Sequence, residues 1–213
     1  MTPKGKFITF EGGEGAGKST QVRKLVSYLQ TKGLEVLATR EPGGSPGAEE
    51  IRRLLVEGQA HRWDGLTEAL LHFAARRDHL RSFVWPALER GAWVVSDRFA
   101  DSTLAYQGYG HQLGRGVYDS LYALVAGEFR PDLTLILDLP VELGLARAKM
   151  RGGGEDRYES MDRAFHERLR QGFQEIARSE PDRCRLLDAS ADEETVALLV
   201  EETVREALAE SLK

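Results

Sequence analysis

The chain has 213 residues, 41% hydrophobic and 30% charged, the proportions of a globular protein long enough for one well-packed domain. Its net charge of −5 argues against a protein whose main work is gripping nucleic acid through phosphates, and Cys184, the only cysteine, excludes an intrachain disulfide or a cysteine-based zinc site. No apolar run reaches bilayer length and no signal-peptide pattern opens the chain, so the expectation is a cytoplasmic protein without a membrane partner.

Lys6-Phe7-Ile8-Thr9-Phe10 reads as a first buried strand. Gly12-Gly13-Glu14-Gly15-Ala16-Gly17-Lys18-Ser19 follows, a complete G-x-x-x-x-G-K-[ST] pattern, and Thr20–Leu29 reads as an amphipathic helix. Gly33, a helix C-cap, leads into Glu35-Val36-Leu37-Ala38-Thr39, the second strand. Thr39-Arg40-Glu41-Pro42-Gly43-Gly44 then forms an irregular turn with Arg40 at its mouth. A long helical pattern over Leu66–Arg90 precedes Ala92-Trp93-Val94-Val95-Ser96, the third strand, which runs into Asp97 and Arg98. Leu133–Leu137, ending at Asp138, and Cys184–Leu187, ending at Asp188, are the fourth and fifth strands. Helical patterns over Met161–Ser179 and Glu193–Leu212 complete the alternation.

Alternating strands and helices, with near-continuous apolar strands, imply an α/β fold whose parallel sheet is covered on both faces. Without repeats or low-complexity linkers the chain reads as one domain over residues 1–213. Ligands of such sheets bind beyond the carboxyl ends of the strands, where most of these motifs fall.

Strand, glycine loop and helix in that order form a phosphate-binding loop: backbone N–H groups turn inward around an anion and the helix dipole supports it. Gly12, Gly13, Glu14, Gly15, Ala16, Gly17, Lys18, Ser19 and Thr20 therefore form the candidate nucleoside-triphosphate site. Lys18 reaches for the β- and γ-phosphates, while the Ser19 hydroxyl and Asp97 are the candidate Mg²⁺ ligands. Arg98 aims a guanidinium at the same cleft. Arg147 and Arg151, four apart on one helix face and followed by Gly152-Gly153-Gly154, suggest a lid over about residues 147–158. Such parts suit phosphoryl transfer to a second small molecule. The N-K-x-D guanine-reading motif of GTPases cannot occur in a chain without asparagine, which weakens a nucleotide-switch reading.

The ordered set Phe10–Thr20, Thr39–Gly44, Asp97-Arg98-Phe99, Ser102-Thr103-Leu104-Ala105-Tyr106-Gln107-Gly108 and Phe129–Thr134 resembles bacterial thymidylate kinases over nearly the whole chain. That resemblance implies a three-layer P-loop nucleoside monophosphate kinase fold with a five-stranded parallel sheet and a short lid. It implies Mg²⁺-dependent transfer of the ATP γ-phosphate to dTMP, feeding dTTP synthesis, by a homodimer. The runner-up is another deoxynucleoside or nucleotide kinase of the same fold. By resemblance, Glu14 faces the acceptor sugar 3′-hydroxyl. Arg98, with Arg40 and Arg52, holds its phosphate, and Glu41 and Pro42 line its site. Thr103 and Gln107 lie near the base, and Tyr106 occupies the place of a ribose 2′-hydroxyl. Arg147 and Arg151 match the lid arginines, and Gly15 stands where eukaryotic members carry arginine. Asp188-Ala189-Ser190 resembles the loop beside the donor adenine.

One position departs from the family. In the family an aromatic residue stacks on thymine and an arginine four residues later hydrogen-bonds the base. His72 with Arg76 fits the ungapped match, and Phe73 with Arg77 has the same spacing, so spacing alone does not choose. Trp63, Trp85 and Trp93 read as packing residues, and His61, His79, His111 and His166 lack metal-ligand spacing.

Overall fold

A computed structural model describes residues 5–58, 62–151 and 156–212, without side chains for Arg151 and Asp156. Its strands are β1 (Phe7–Glu11), β2 (Val36–Arg40), β3 (Trp93–Asp97), β4 (Leu133–Asp138) and β5 (Cys184–Asp188). All pair in parallel, in the spatial order β2-β3-β1-β4-β5. The earliest strand is therefore central and buried throughout, including Thr9 and Glu11. Thr9 and Thr134 on adjacent strands share a hydroxyl–hydroxyl hydrogen bond of 2.9 Å, which satisfies two polar groups inside the sheet.

Each strand ends one residue later than its apolar pattern predicts. The ladder continues through the polar ends: Glu41 N–H donates to the Asp97 carbonyl (2.9 Å), Arg98 N–H to Phe10 (2.8 Å) and Ala189 N–H to Asp138 (2.9 Å). Glu11, Arg40, Asp97, Asp138 and Asp188 are thus rigid parts of the sheet's carboxyl edge rather than loop residues.

The helices are α1 (Lys18–Thr31), α2 (Pro46–Val56), α3 (Gly65–His79), α4 (Trp85–Glu89), α5 (Ala100–Thr103), α6 (Arg115–Ala126), α7 (Val141–Arg151), α8 (Asp156–Glu159), α9 (Arg163–Ser179) and α10 (Glu193–Ala207). One face of the sheet packs Ile8, Phe10, Val95 and Leu135 against α1 and α10 through Leu25, Leu29, Val200 and Val204. The other packs Phe7, Val94 and Ile136 against Phe73, Leu104, Tyr122, Leu169 and Phe173. Helix–sheet–helix layering follows from strands that are apolar on both faces.

The expected helix Leu66–Arg90 is continuous but not uniform, since a π-helical stretch, Leu80–Val84, separates α3 from α4. Pro86 supplies no N–H and crowds the preceding turn, so a widened turn just before it keeps the helix running. Leu104–Gly110, after α5, is likewise π-helical and carries Tyr106 and Gln107. The C-terminal helix stops at Ala207 rather than Leu212, and a short 3₁₀ turn follows over Ala209–Ser211.

Candidate active site

The carboxyl edge of the sheet opens into a cleft of about 830 Å³, walled by the glycine loop, the turn after β2, α3, the Asp97–Gln107 segment and α7–α8. The loop between β1 and α1 owes its path to glycine. Gly12 and Gly15 have φ of 134° and 66°, where L side chains are strained. A Cβ on Gly12 would stand 2.5 Å from the Leu137 carbonyl oxygen, and one on Gly15 would stand 2.0 Å from that of Gly144. The loop is wedged between β4 and α7, so no side chain fits at position 15.

Lys18 begins α1 and curls back, its ammonium donating to the carbonyls of Gly12 (3.1 Å) and Gly13 (2.8 Å). Burial and the nearby Arg98 charge pull its pKa down to about 8, against the carboxylates of Glu14, Asp97 and Glu11. Ser19 hydrogen-bonds Asp97 directly, which brings a hydroxyl and a carboxylate together at the loop's exposed side. These are hard oxygen donors of the kind Mg²⁺ takes while keeping water and phosphate ligands.

Arg98 leaves β3 in the left-handed region, with φ 69°, a conformation that costs a non-glycine residue roughly 1–3 kcal/mol. The turn aims its guanidinium inward, where it donates to Gly12 O (3.1 Å), Ser102 Oγ (3.1 Å) and Glu14 Oε1 (3.2 Å) and lies over the Tyr106 ring. The Tyr106 hydroxyl donates to the same Glu14 oxygen at 2.5 Å. Burial would raise the Glu14 pKa, but Arg98 and Lys18 hold it below the usual carboxylate range. Under this cluster Glu11, fully buried, accepts from Phe99 N–H (2.8 Å) and Ser102 Oγ (2.5 Å). Burial and the Asp101 charge push it up to about 7.

The wall opposite is built on α3, which starts at a capping Asp64. Arg76 is 1% exposed between the rings of Phe73 and Phe99. Its Nε donates to Glu41 Oε2 (2.8 Å) and one Nη to Thr103 Oγ1 (3.0 Å), while the other, Nη1, is buried with no partner among the described residues. Both Glu41 oxygens are engaged, the second by His79 Nδ1 at 2.9 Å. Glu41 therefore holds Arg76 rather than offering an open acceptor. His72, half-buried, lines the cleft with its Nε2 3.4 Å from the Tyr158 hydroxyl; burial and Arg76 bring its pKa down to about 3, so the ring is neutral. Phe73 is a correction to the candidate set. It is 1% exposed, packs against Tyr118 and Tyr122, and does not line the cleft. Consecutive helix positions point about 100° apart, so only one of the pair can face the opening. Arg77 points outward, stacked on Trp85.

Arg40 is exposed and paired with Glu49, and Arg52 donates to the Pro42 carbonyl at 2.6 Å; both line the cleft. Arg147 is committed elsewhere in this state, donating to the carbonyls of Ala189 (2.8 Å) and Ser190 (3.0 Å), so it ties α7 to the loop after β5. The Arg151 side chain, the glycine run at 152–154 and His61 lie outside what is described.

Sequence reasoning missed Glu68, Arg157 and Tyr158. Glu68 is fully buried and bonded to Gln107 Nε2 (2.8 Å), to the Tyr158 hydroxyl (3.0 Å) and to Arg157. A signal existed: Glu68, His72 and Arg76 are spaced by four, so they share one helix face.

Comparison with known proteins agrees in sequence and in fold. The family model described as thymidylate kinase matches residues 10–199. The thymidylate kinase of Caulobacter vibrioides is 56% identical over 201 residues, covering 94% of this chain and 96% of the relative. That of a Jannaschia species is 53% identical over 205 residues, covering 96% and 98%. The crystal structure of thymidylate kinase from Ehrlichia chaffeensis superposes with a TM-score of 0.76 at 36% identity, covering 95% of this chain and 99% of that one.

Proposed function

This chain belongs to the thymidylate kinase family, and on that premise we propose how its residues carry the γ-phosphoryl group of ATP to dTMP, giving dTDP and ADP. The reaction is that of a nucleoside monophosphate kinase, and the switch alternative has no support in the family. One P–O bond breaks between the β- and γ-phosphates, and one forms to a dTMP phosphate oxygen. That acceptor phosphate, with a second pKa of about 6, is largely ionised at neutrality and needs no strong general base. Catalysis then rests on holding two anions in line and neutralising the charge that moves between them.

On the donor side, the amides of Gly13 to Thr20 cradle the phosphates, and Lys18 exchanges its two loop carbonyls for phosphate oxygens. Ser19 and Asp97 would hold Mg²⁺ at the cleft's exposed edge, where the ion would supply charge neutralisation between the phosphates. On the acceptor side, Arg98, with Arg40 and Arg52, takes the dTMP phosphate. Glu14 meets the sugar 3′-hydroxyl, and Tyr106, hydrogen-bonded to Glu14, fills the space a 2′-hydroxyl would need. Arg147 and Arg151 serve the lid segment, about 147–158, and neutralise the transferring group.

The observation that carries the base assignment is a matched pair of unmet hydrogen-bonding atoms. Arg76 Nη1, a donor, and Gln107 Oε1, an acceptor, are both buried and unpartnered among the described residues, and both side chains line the cleft. Thymine presents O4, an acceptor, beside N3–H, a donor. The neutral His72 imidazole offers the stacking surface, and Thr103 steadies Arg76. Exposed Leu66 and Leu70 on α3 and Leu124 on α6 support a homodimer through these packed helices. No helix among the described residues is long and apolar enough to cross a membrane, and we assign the reaction to the cytoplasm, where both nucleotides are met.

Steady-state assays with dTMP, thymidine and purine monophosphates test the reading, and equal or better turnover of thymidine or a purine would overturn it. Arg98→Ala should raise KM for dTMP by about a hundredfold while ATP affinity stays nearly constant, because a buried charge-assisted contact is lost on one side only.

A further inference from the structure

Gln107 can present either end of its amide to the cleft, and nothing in its own chemistry chooses. The choice lies behind it. Its Nε2 donates to Glu68 Oε2 at 2.8 Å and to the Tyr158 hydroxyl at 3.3 Å, and its Oε1 is left buried and unpartnered. Glu68 is fully buried and bonded by donors, Arg157 on one oxygen and Gln107 and Tyr158 on the other, with His111 Nε2 3.4 Å from the second oxygen. Burial would favour the neutral acid, but the adjacent His111 ring, the hydrogen bond from Gln107 and the Arg157 charge keep its pKa below the usual carboxylate range. An ionised carboxylate accepts only. The Gln107 amide must therefore turn its NH₂ inward and its oxygen outward.

We propose that Glu68 is a positioning residue that fixes the orientation of the Gln107 amide, and thereby selects a pyrimidine bearing N3–H over one whose N3 carries no proton. The inference rests on the assignment of Arg76 and Gln107 to the base edge. Cytosine would set its N4 amino group against the Arg76 donor and its bare N3 against the Gln107 oxygen, leaving both pairs mismatched in a buried site. Sites built around such hydrogen bonds discriminate strongly, because the wrong ligand leaves buried polar groups unpaired. Glu68 never touches the substrate. Its effect passes through one amide, while Arg157, which also donates to the Leu55 carbonyl at 2.9 Å, anchors the carboxylate to α2.

Glu68→Gln tests this with little change of shape. Arg157 only donates, so the new amide would face its oxygen to Arg157 and its NH₂ to Gln107, which must then flip. The ratio of kcat/KM for dTMP over dCMP should fall by about tenfold to a hundredfold, the weight of one buried hydrogen bond reversed. General destabilisation would scale both substrates together and leave the ratio unmoved. An unchanged ratio in Glu68→Gln overturns the proposal. Gln107→Leu separates this from the reading beneath it: if that change also leaves the ratio intact, the base-edge assignment falls instead. Should Glu68→Gln not fold, the wild-type protein still decides. The Gln107 side-chain NH₂, identified in NMR spectra by its loss in Gln107→Leu, should exchange at least about tenfold more slowly than exposed glutamine amides. Exchange at the exposed rate refutes a fixed amide.

Discussion

Glu11 sits directly beneath the phosphate-binding cluster with no exposure to water, and its titration should be visible in the protein's stability. Its pKa is raised from 4.5 to about 7 by burial and by Asp101, against the hydrogen bonds from Ser102 and Phe99 and the charge of Arg98. A carboxyl whose folded-state pKa lies above its unfolded value binds its proton more tightly when folded. Stability is therefore intact below about pH 4.5 and falls as pH rises to about 7, by about 3 kcal/mol at 1.36 kcal/mol per pH unit. Glu11→Gln removes this titration and keeps the shape. Its oxygen can still accept from Phe99 N–H, while its NH₂ meets Ser102 Oγ and displaces that hydroxyl's own donation, costing about 1 kcal/mol. The variant should match wild type in stability to within about 0.5 kcal/mol at pH 5 and be more stable by about 2 kcal/mol at pH 8. Urea unfolding of the nucleotide-free protein at pH 5, 6, 7 and 8 reads the difference between variant and wild type. A difference that keeps one sign and size across that range refutes the reasoning.

The two neighbours on α3 should separate cleanly. Phe73→Ala should cost about 3–5 kcal/mol of stability by opening a core cavity. His72→Ala should leave the urea midpoint nearly unmoved but raise KM for dTMP by about tenfold, the weight of one base-stacking contact; the reverse assignment of effects would sink the α3 reading. Gly15→Ala combines a left-handed φ of 66° with a Cβ 2.0 Å from Gly144 O, and should destabilise by at least about 2 kcal/mol. Gly116→Ala, on α6 with nothing within 4 Å of the new Cβ, should stabilise by about 0.4–1 kcal/mol; equal thermal shifts for the two would show that contact with α7 is irrelevant. Lys18, with a pKa near 8, loses its charge as pH rises, so calorimetry should find ATP affinity falling about eightfold between pH 7.5 and 9. The same fall in Lys18→Met would assign it to another group.

The local parts of this enzyme are written along the chain. Gly12–Ser19 between a strand and a helix dictates a phosphate cradle wherever it folds, because glycine φ angles and a free helix N-terminus are properties of neighbouring residues. The five apolar runs mark five strands for the same reason, and even their one-residue error is local, since polar Glu11, Asp97 and Asp138 end a pattern without ending a hydrogen-bond ladder. What no stretch of sequence contains is which face of one element meets which face of another. His72 and Phe73 carry the same spacing to a following arginine, and only packing of α3 against the sheet and α6 turns one ring into the cleft and the other into the core. Arg98 is readable as a cation after a strand, yet its aim at Glu14 comes from a left-handed turn held by the surrounding fold. Glu68 and Gln107 lie 39 residues apart, and their contact exists only because α3 and the π-helical stretch after α5 close on each other. Backbone chemistry travels with the sequence; the pairing of distant donors and acceptors is decided by tertiary packing, because a hydrogen bond has no strength until both ends have been brought within reach and out of water.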